Sequence, residues 1–161
     1  MRNAFLLMIT ASILLSNCGK KDATCGYTDS STVAPTAEVQ TLQNYLSSNN
    51  ISATAHPSGF FYSITAQGSG KAIVNLCSQV TITYVGKLTN GTVFDQTQPG
   101  APATFTLGQL IVGWQKGMPL ISKGGSIRLY IPPSLGYGSS QVGPIPPNSI
   151  LIFDITMVDI N

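Results

Sequence analysis

Apolar and polar residues alternate over 80–84, where Val80, Ile82 and Tyr84 share one face and Thr81 and Thr83 the other, the period-two signature of a half-buried strand. Ile127, Leu129 and Ile131 repeat it against Arg128 and Tyr130. Over 149–159, Leu151, Phe153, Ile155 and Met157 line one side of a long strand, and Ile150, Ile152 and Val158 make much of the other side apolar too. Residues 58–66 have strand composition and run into Gln-Gly-Ser-Gly, a turn cluster. Asn90-Gly91 is a strong hairpin signal that folds 92–95 back on the preceding strand. A further short strand is read at 104–107.

The helical period appears twice. Over 37–48, Val39, Leu42 and Leu46 form one stripe, with Thr36 as the expected cap and Glu38 in the first turn. Such a helix can pack on its own domain or support weak self-association. Over 113–121 a second helix is expected to start where the chain turns tightly at Gly113, with Pro119 distorting its last turn. Strands joined largely as hairpins around one internal helix predict an α+β domain, an antiparallel twisted β-sheet forming a half-barrel around that short α-helix. A pocket between helix and sheet is expected. Trp114, the single tryptophan, opens the helix with its ring aimed inward, either as core filling or as the floor of that pocket. The Pro-, Gly- and Ser-rich stretch 132–148 reads as a loop of functional length.

Composition narrows the picture. With 161 residues, 43% hydrophobic and 9% charged, the chain suits one compact core with a leader and tail. The formal net charge is +2 and the cations are scattered, which gives no nucleic-acid footprint. Arg2 followed by an apolar run over 4–15 has the form of a secretory signal, too short to span a bilayer as a helix. The run ends Leu15-Ser16-Asn17-Cys18, which resembles the lipobox of bacterial lipoproteins, although Asn17 departs from the usual small residue. The resemblance implies a signal over 1–17, lipidation of Cys18 and anchoring in the bacterial cell envelope. Gly19, where an aspartate would imply inner-membrane retention, directs the expectation to the outer membrane, facing periplasm or cell surface. An ordinary secretory signal that ends near a cysteine is the alternative. Residues 18–57 are expected to form a tether carrying helix 37–48, flexible over 19–36, with the domain at 58–161. Cys25 and Cys77 are left as an even pair in an oxidising compartment, either a disulfide or two free thiols.

No metal-ligand cluster, phosphate-binding glycine loop or Ser/Cys nucleophile with a His and acid partner is present in the sequence, and no cofactor is expected. His56, the one histidine, lies in a loop and is given no role.

Six motifs in order are more specific than any one of them. Tyr84-Val-Gly-Lys-Leu-Thr-Asn-Gly-Thr-Val-Phe-Asp95, Phe105-Thr-Leu-Gly, Ile111-Val-Gly-Trp114, Gly136-Tyr-Gly138, Ile145-Pro-Pro147 and Ile152-Phe-Asp154 resemble the FKBP-type peptidyl-prolyl cis-trans isomerases. The resemblance runs from about Ser58 to the C-terminus. It implies that Trp114 floors a proline pocket walled by Tyr84, Phe94, Phe105, Leu110, Ile111 and Phe153 and capped by Ile145. It also implies that the Tyr137 hydroxyl and the Ile111 N–H donate to substrate carbonyls, with Asp95 at the rim. The implied activity is rotation of X-Pro bonds in polypeptides during extracytoplasmic folding, by a monomer that can take macrolide inhibitors. A proline-peptide binding or holdase module with little turnover is the alternative. Leu110 stands where the family usually has valine, and Ala103 where many relatives have an aromatic. No arginine lies between Asp95 and Phe105, so Asp95 is expected to be freer and one wall lower. The loop between Tyr137 and Ile145 is about one residue short, so Ser139, Gln141 and Val142 receive no role.

Overall fold

The computed structural model describes residues 25–161. The leader and Cys18 lie outside the described residues. Helix α1 (Thr36–Ser48) precedes strands β1 (Thr54–Ala55), β2 (Phe61–Ala66), β3 (Gln79–Leu88), β4 (Val93–Gln96) and β5 (Ala103–Thr106). Helix α2 (Val112–Gly117), β6 (Ser126–Ile131) and β7 (Leu151–Ile160) follow. The strands form one sheet in the order β1-β2-β6-β7-β3-β4, with β5 continuing on β3 beside β4, and every pairing is antiparallel. β7 sits in the middle, between β6 and β3, which is why it is apolar on both faces.

One face of the sheet packs on α2. Val80, Ile82, Leu129, Ile131, Phe153, Ile155 and Met157 form the core there with Trp114 and Met118. The glycines of α2 permit close approach. A Cβ on Gly113 would lie 2.6 Å from the Ile131 Cδ1, and one on Gly117 would lie 2.7 Å from the Leu129 Cδ2. Gly113 therefore serves packing, not the tight turn expected of it: its φ is not positive, and the chain turns two residues earlier, at the extended Ile111 that precedes the helix. The helix is also shorter than expected, and Met118–Leu120, with Pro119, continues it as a 3-10 turn.

Other boundaries shift for local reasons. β2 begins at Phe61, not at Ser58, because Gly59 at φ +93° closes a turn in which its N–H donates to the His56 carbonyl at 2.8 Å. Leu107 leaves β5 for a 3-10 turn at Leu107–Gln109. Thr36 lies inside α1 and Pro35 takes the capping position without any side-chain hydrogen bond; its φ of −57° suits a helix start. Glu38 instead accepts the Ser134 N–H at 2.9 Å.

The opposite face of the sheet is where α1 docks. Leu42 and Leu46 are buried with Phe61, Tyr130 and Ile152 in a second cluster. Residues 25–35 are held to the body as well. Cys25 and Cys77 form a disulfide, Tyr27 lies over Gly108, and the Ala34 N–H donates to the Ser58 carbonyl at 2.9 Å. A free spacer is thus not found over this stretch, and the packed unit starts upstream of Ser58.

Candidate active site

Trp114 projects from the first turn of α2 into a box of rings. The Tyr84 and Phe153 centroids stand 5.2 and 4.9 Å from its own, at interplanar angles of 81° and 84°, and Phe105 stands edge-on at 6.4 Å. Phe94 meets Phe153 edge to face at 5.4 Å. These edge-to-face contacts suit the ring quadrupoles and hold the walls upright. Period two explains how strands supply them: Tyr84 and Phe153 point inward from β3 and β7, Phe94 and Phe105 from β4 and β5. Gly86 makes room, since a Cβ there would lie 2.6 Å from the Phe94 ring and 2.8 Å from the Phe153 ring.

The box encloses a cavity of about 370 Å³. Tyr84, Phe94, Asp95, Phe105, Ile111, Trp114, Tyr137, Ile145 and Phe153, nine residues from the six motifs, line it together with Leu110. Larger depressions of about 820 and 580 Å³ lie on the outer sheet face and beside α1; the first is lined mostly by polar strand residues and the second by no aromatic ring. The Trp114 Nε1–H is buried without an acceptor among the described residues.

Asp95 departs from expectation. Without an arginine it is still engaged, because the Tyr84 hydroxyl donates to its Oδ2 at 2.5 Å. Burial first, then this hydrogen bond, push the Tyr84 phenol well above its ordinary pKa. Tyr84 is therefore both a wall and the group that orients the rim carboxylate. Ala103 is not among the residues that line the cavity.

Two donors remain uncommitted. The Ile111 N–H makes no backbone hydrogen bond among the described residues, whereas its carbonyl accepts from Trp114 and Gln115. The Tyr137 hydroxyl has no protein partner in the described set, and burial, then the negative field of Asp95, raise its pKa. Its loop is pinned from both sides: the Gly138 N–H donates to Pro133 O at 2.8 Å, and the Asn148 N–H to Gly138 O at 2.8 Å. The left-handed φ of +61° at Gly138 favours glycine after the tyrosine.

Four lining residues were not anticipated: Gln109, Val142, Gly143 and Pro144. Val142 and Ile145 exchange two hydrogen bonds, of 3.1 and 2.9 Å, around a tight Gly143-Pro144 tip that leans over the opening. The Gly-Pro pair was a legible turn signal, but its direction was not.

An antiparallel half-barrel closed around one short helix, with an indole at the floor of its cavity, is an FKBP-like fold. The family model for FKBP-type peptidyl-prolyl cis-trans isomerases matches residues 70–158, more than half of the chain, and the chain belongs to that family. Among curated relatives, the FKBP-type peptidyl-prolyl cis-trans isomerase FkpA of Buchnera aphidicola subsp. Schizaphis graminum is 49% identical over 104 residues, 64% of this chain and 41% of that protein. FkpA of Escherichia coli K12 is 41% identical over 103 residues, 63% of this chain and 38% of that protein. The chain thus spans less than half the length of these relatives. Among solved structures, E. coli FkpA superposes with a TM-score of 0.70 at 34% identity, covering 78% of this chain and 60% of that one. AtFKBP13 superposes at 0.62 with 36% identity, covering 67% and 98%.

Proposed function

We propose that this chain catalyses cis–trans rotation of X-Pro peptide bonds in unfolded or loop polypeptides. The observation that carries this reading is the pairing of an apolar, Trp114-floored cavity with two uncommitted donors at its rim. The planar amide owes its barrier of about 18–20 kcal/mol to conjugation between nitrogen and carbonyl. Twisting the bond ends that conjugation and makes the amide less polar, so apolar walls favour the twisted state over the planar one. In this reading Trp114, Tyr84, Phe94, Phe105 and Phe153 enclose the prolyl ring. The Ile111 N–H and Tyr137 O–H hold the flanking carbonyls, so that only the bond between them rotates. Leu110 and Ile145 exclude water, and Asp95, oriented by Tyr84, sits beside the turning carbonyl. Rotation makes and breaks no covalent bond, so neither nucleophile nor base is required.

A protease-coupled or NMR exchange assay on a proline tetrapeptide tests this. Acceleration well above the uncatalysed rate is expected, and its absence at micromolar protein would overturn the reading. The alternative, a proline-binding or holdase module, draws its support from Ala103, where many relatives have an aromatic. It would show as quenching of Trp114 fluorescence by a rapamycin-like macrolide while isomerisation stayed flat.

The cellular setting belongs to the same proposal: a monomer held at the bacterial envelope by lipid on Cys18, on the outer membrane facing periplasm or cell surface, a reading that failure of labelled palmitate to enter the protein would overturn. The Cys25–Cys77 disulfide supports an oxidising compartment. Palmitate incorporation that is lost in Cys18→Ser, with release of the protein from the membrane fraction, is the expected outcome.

A further inference from the structure

The segment that delivers the Ile111 donor is gripped by a part of the chain that precedes the family-matched region. Leu107–Gln109 is a single 3-10 turn, and Leu110 closes it with an N–H donated to Leu107 O at 3.1 Å. From below, the Leu107 and Gly108 N–H groups donate to Ser78 O and Leu76 O at 3.1 and 2.7 Å. From the α2 side, the Gln115 Nε2 donates to Leu110 O at 2.7 Å and Gly108 O at 3.3 Å. The remaining side is covered by Tyr27, whose ring lies so close to Gly108 that a Cβ there would collide with it. Two residues before Tyr27, the Cys25–Cys77 disulfide fastens the strap to the Leu76–Ser78 turn that accepts those hydrogen bonds. The family match starts at residue 70, so the strap is an addition to the matched region.

We infer that Tyr27, locked by the Cys25–Cys77 disulfide, is a positioning residue that holds 107–111 so that the Ile111 N–H points into the cavity. The inference rests on the proposed role of that N–H as a substrate donor. A ring stacked on a glycine restrains the peptide planes on either side through contact alone, and a substrate donor loses effect with small misplacement. Tyr27 is more than one-third exposed, so its ring contributes less as core than as a clamp.

Kinetics of variants and amide hydrogen exchange test the inference. Tyr27→Ala, and separately the Cys25→Ser/Cys77→Ser pair, should lower kcat/KM about fivefold, mostly through KM, as expected for one weakened binding hydrogen bond. Tyr27→Phe should restore the parent values, because the ring and not its hydroxyl makes the contact. Gly108→Ala should impair the parent yet add nothing in a Tyr27→Ala background, where the obstructing ring is gone. Independently of catalysis, amide hydrogen exchange over 108–111 should quicken in Tyr27→Ala while β7 amides keep their protection. Unchanged KM together with unchanged exchange at 108–111, or additive losses for Gly108→Ala and Tyr27→Ala, would overturn the inference. A parent chain with no isomerase activity would instead count against the proposed function, and the exchange measurement would still judge the strap.

Discussion

Tyr137 is the residue whose role separates most cleanly from packing. Its side chain is more than one-third exposed and its hydroxyl bonds to no described protein group, so the fold does not need the oxygen. Tyr137→Phe is expected to leave the melting temperature unchanged while kcat/KM falls about five- to tenfold, the size of one hydrogen bond. A loss of stability without a kinetic effect would assign the hydroxyl to the fold. Tyr84 is the opposite case, since the same phenol walls the cavity and orients Asp95. Its alternation with Val80 and Ile82 was readable as an inward position; the bond to Asp95 was not, because it depends on the register that sets Asp95 opposite Gly86 on the neighbouring strand.

At the scale of elements, α1 shows how a local pattern acquires its meaning from a partner. The stripe of Val39, Leu42 and Leu46 is complete in the sequence, but whether it meets its own domain or another molecule depends on an apolar patch assembled from Phe61, Tyr130 and Ile152 on three strands. Leu42 is fully buried there. Leu42→Ala should therefore cost about 2–4 kcal/mol in urea unfolding, the range for a leucine deleted from a packed core. A change below about 0.5 kcal/mol, the usual size for a surface substitution, would mean that the helix is not docked in solution. The loop 132–148 behaves similarly. Its glycines and prolines announce turns, whereas the hydrogen bonds from Gly138 to Pro133 and from Asn148 to Gly138 decide which way Tyr137 faces.

For the molecule as a whole, α1 and the segment before it meet the sheet at the turn 56–59, where Ala34 and Val39 lie against Gly59, and which carries His56, a residue that received no role from its sequence context. Its ring stacks on Phe60 at 4.2 Å and its Nδ1 accepts the Ser58 N–H at 3.1 Å. Burial, and secondarily the charge on Lys116, lower its pKa. Because the folded pKa lies below the unfolded one, near about 6.5, the folded state favours neutral imidazole. This contribution to stability is present above that value and is lost as pH falls through the folded pKa. The urea midpoint is expected to drop between pH 7 and 5, and His56→Asn, which keeps an acceptor but does not titrate, should flatten that part of the slope. An unchanged slope in the variant would assign the drop to carboxylates.

The resemblance of six ordered motifs named the residues that line the cavity around Trp114, whereas the sequence by itself determined the alternation that makes the strands, the hairpin at Asn90-Gly91 and the short helix. These are local periods and turn preferences, carried by neighbouring residues and readable without a partner. Tertiary structure decided what depends on distance between remote segments: the Cys25–Cys77 bond, the clasp of Tyr84 on Asp95, the docking of α1 and the lie of Tyr27 on Gly108. Each joins groups that no sequence period relates, so only the closing of the sheet around α2 could bring them together.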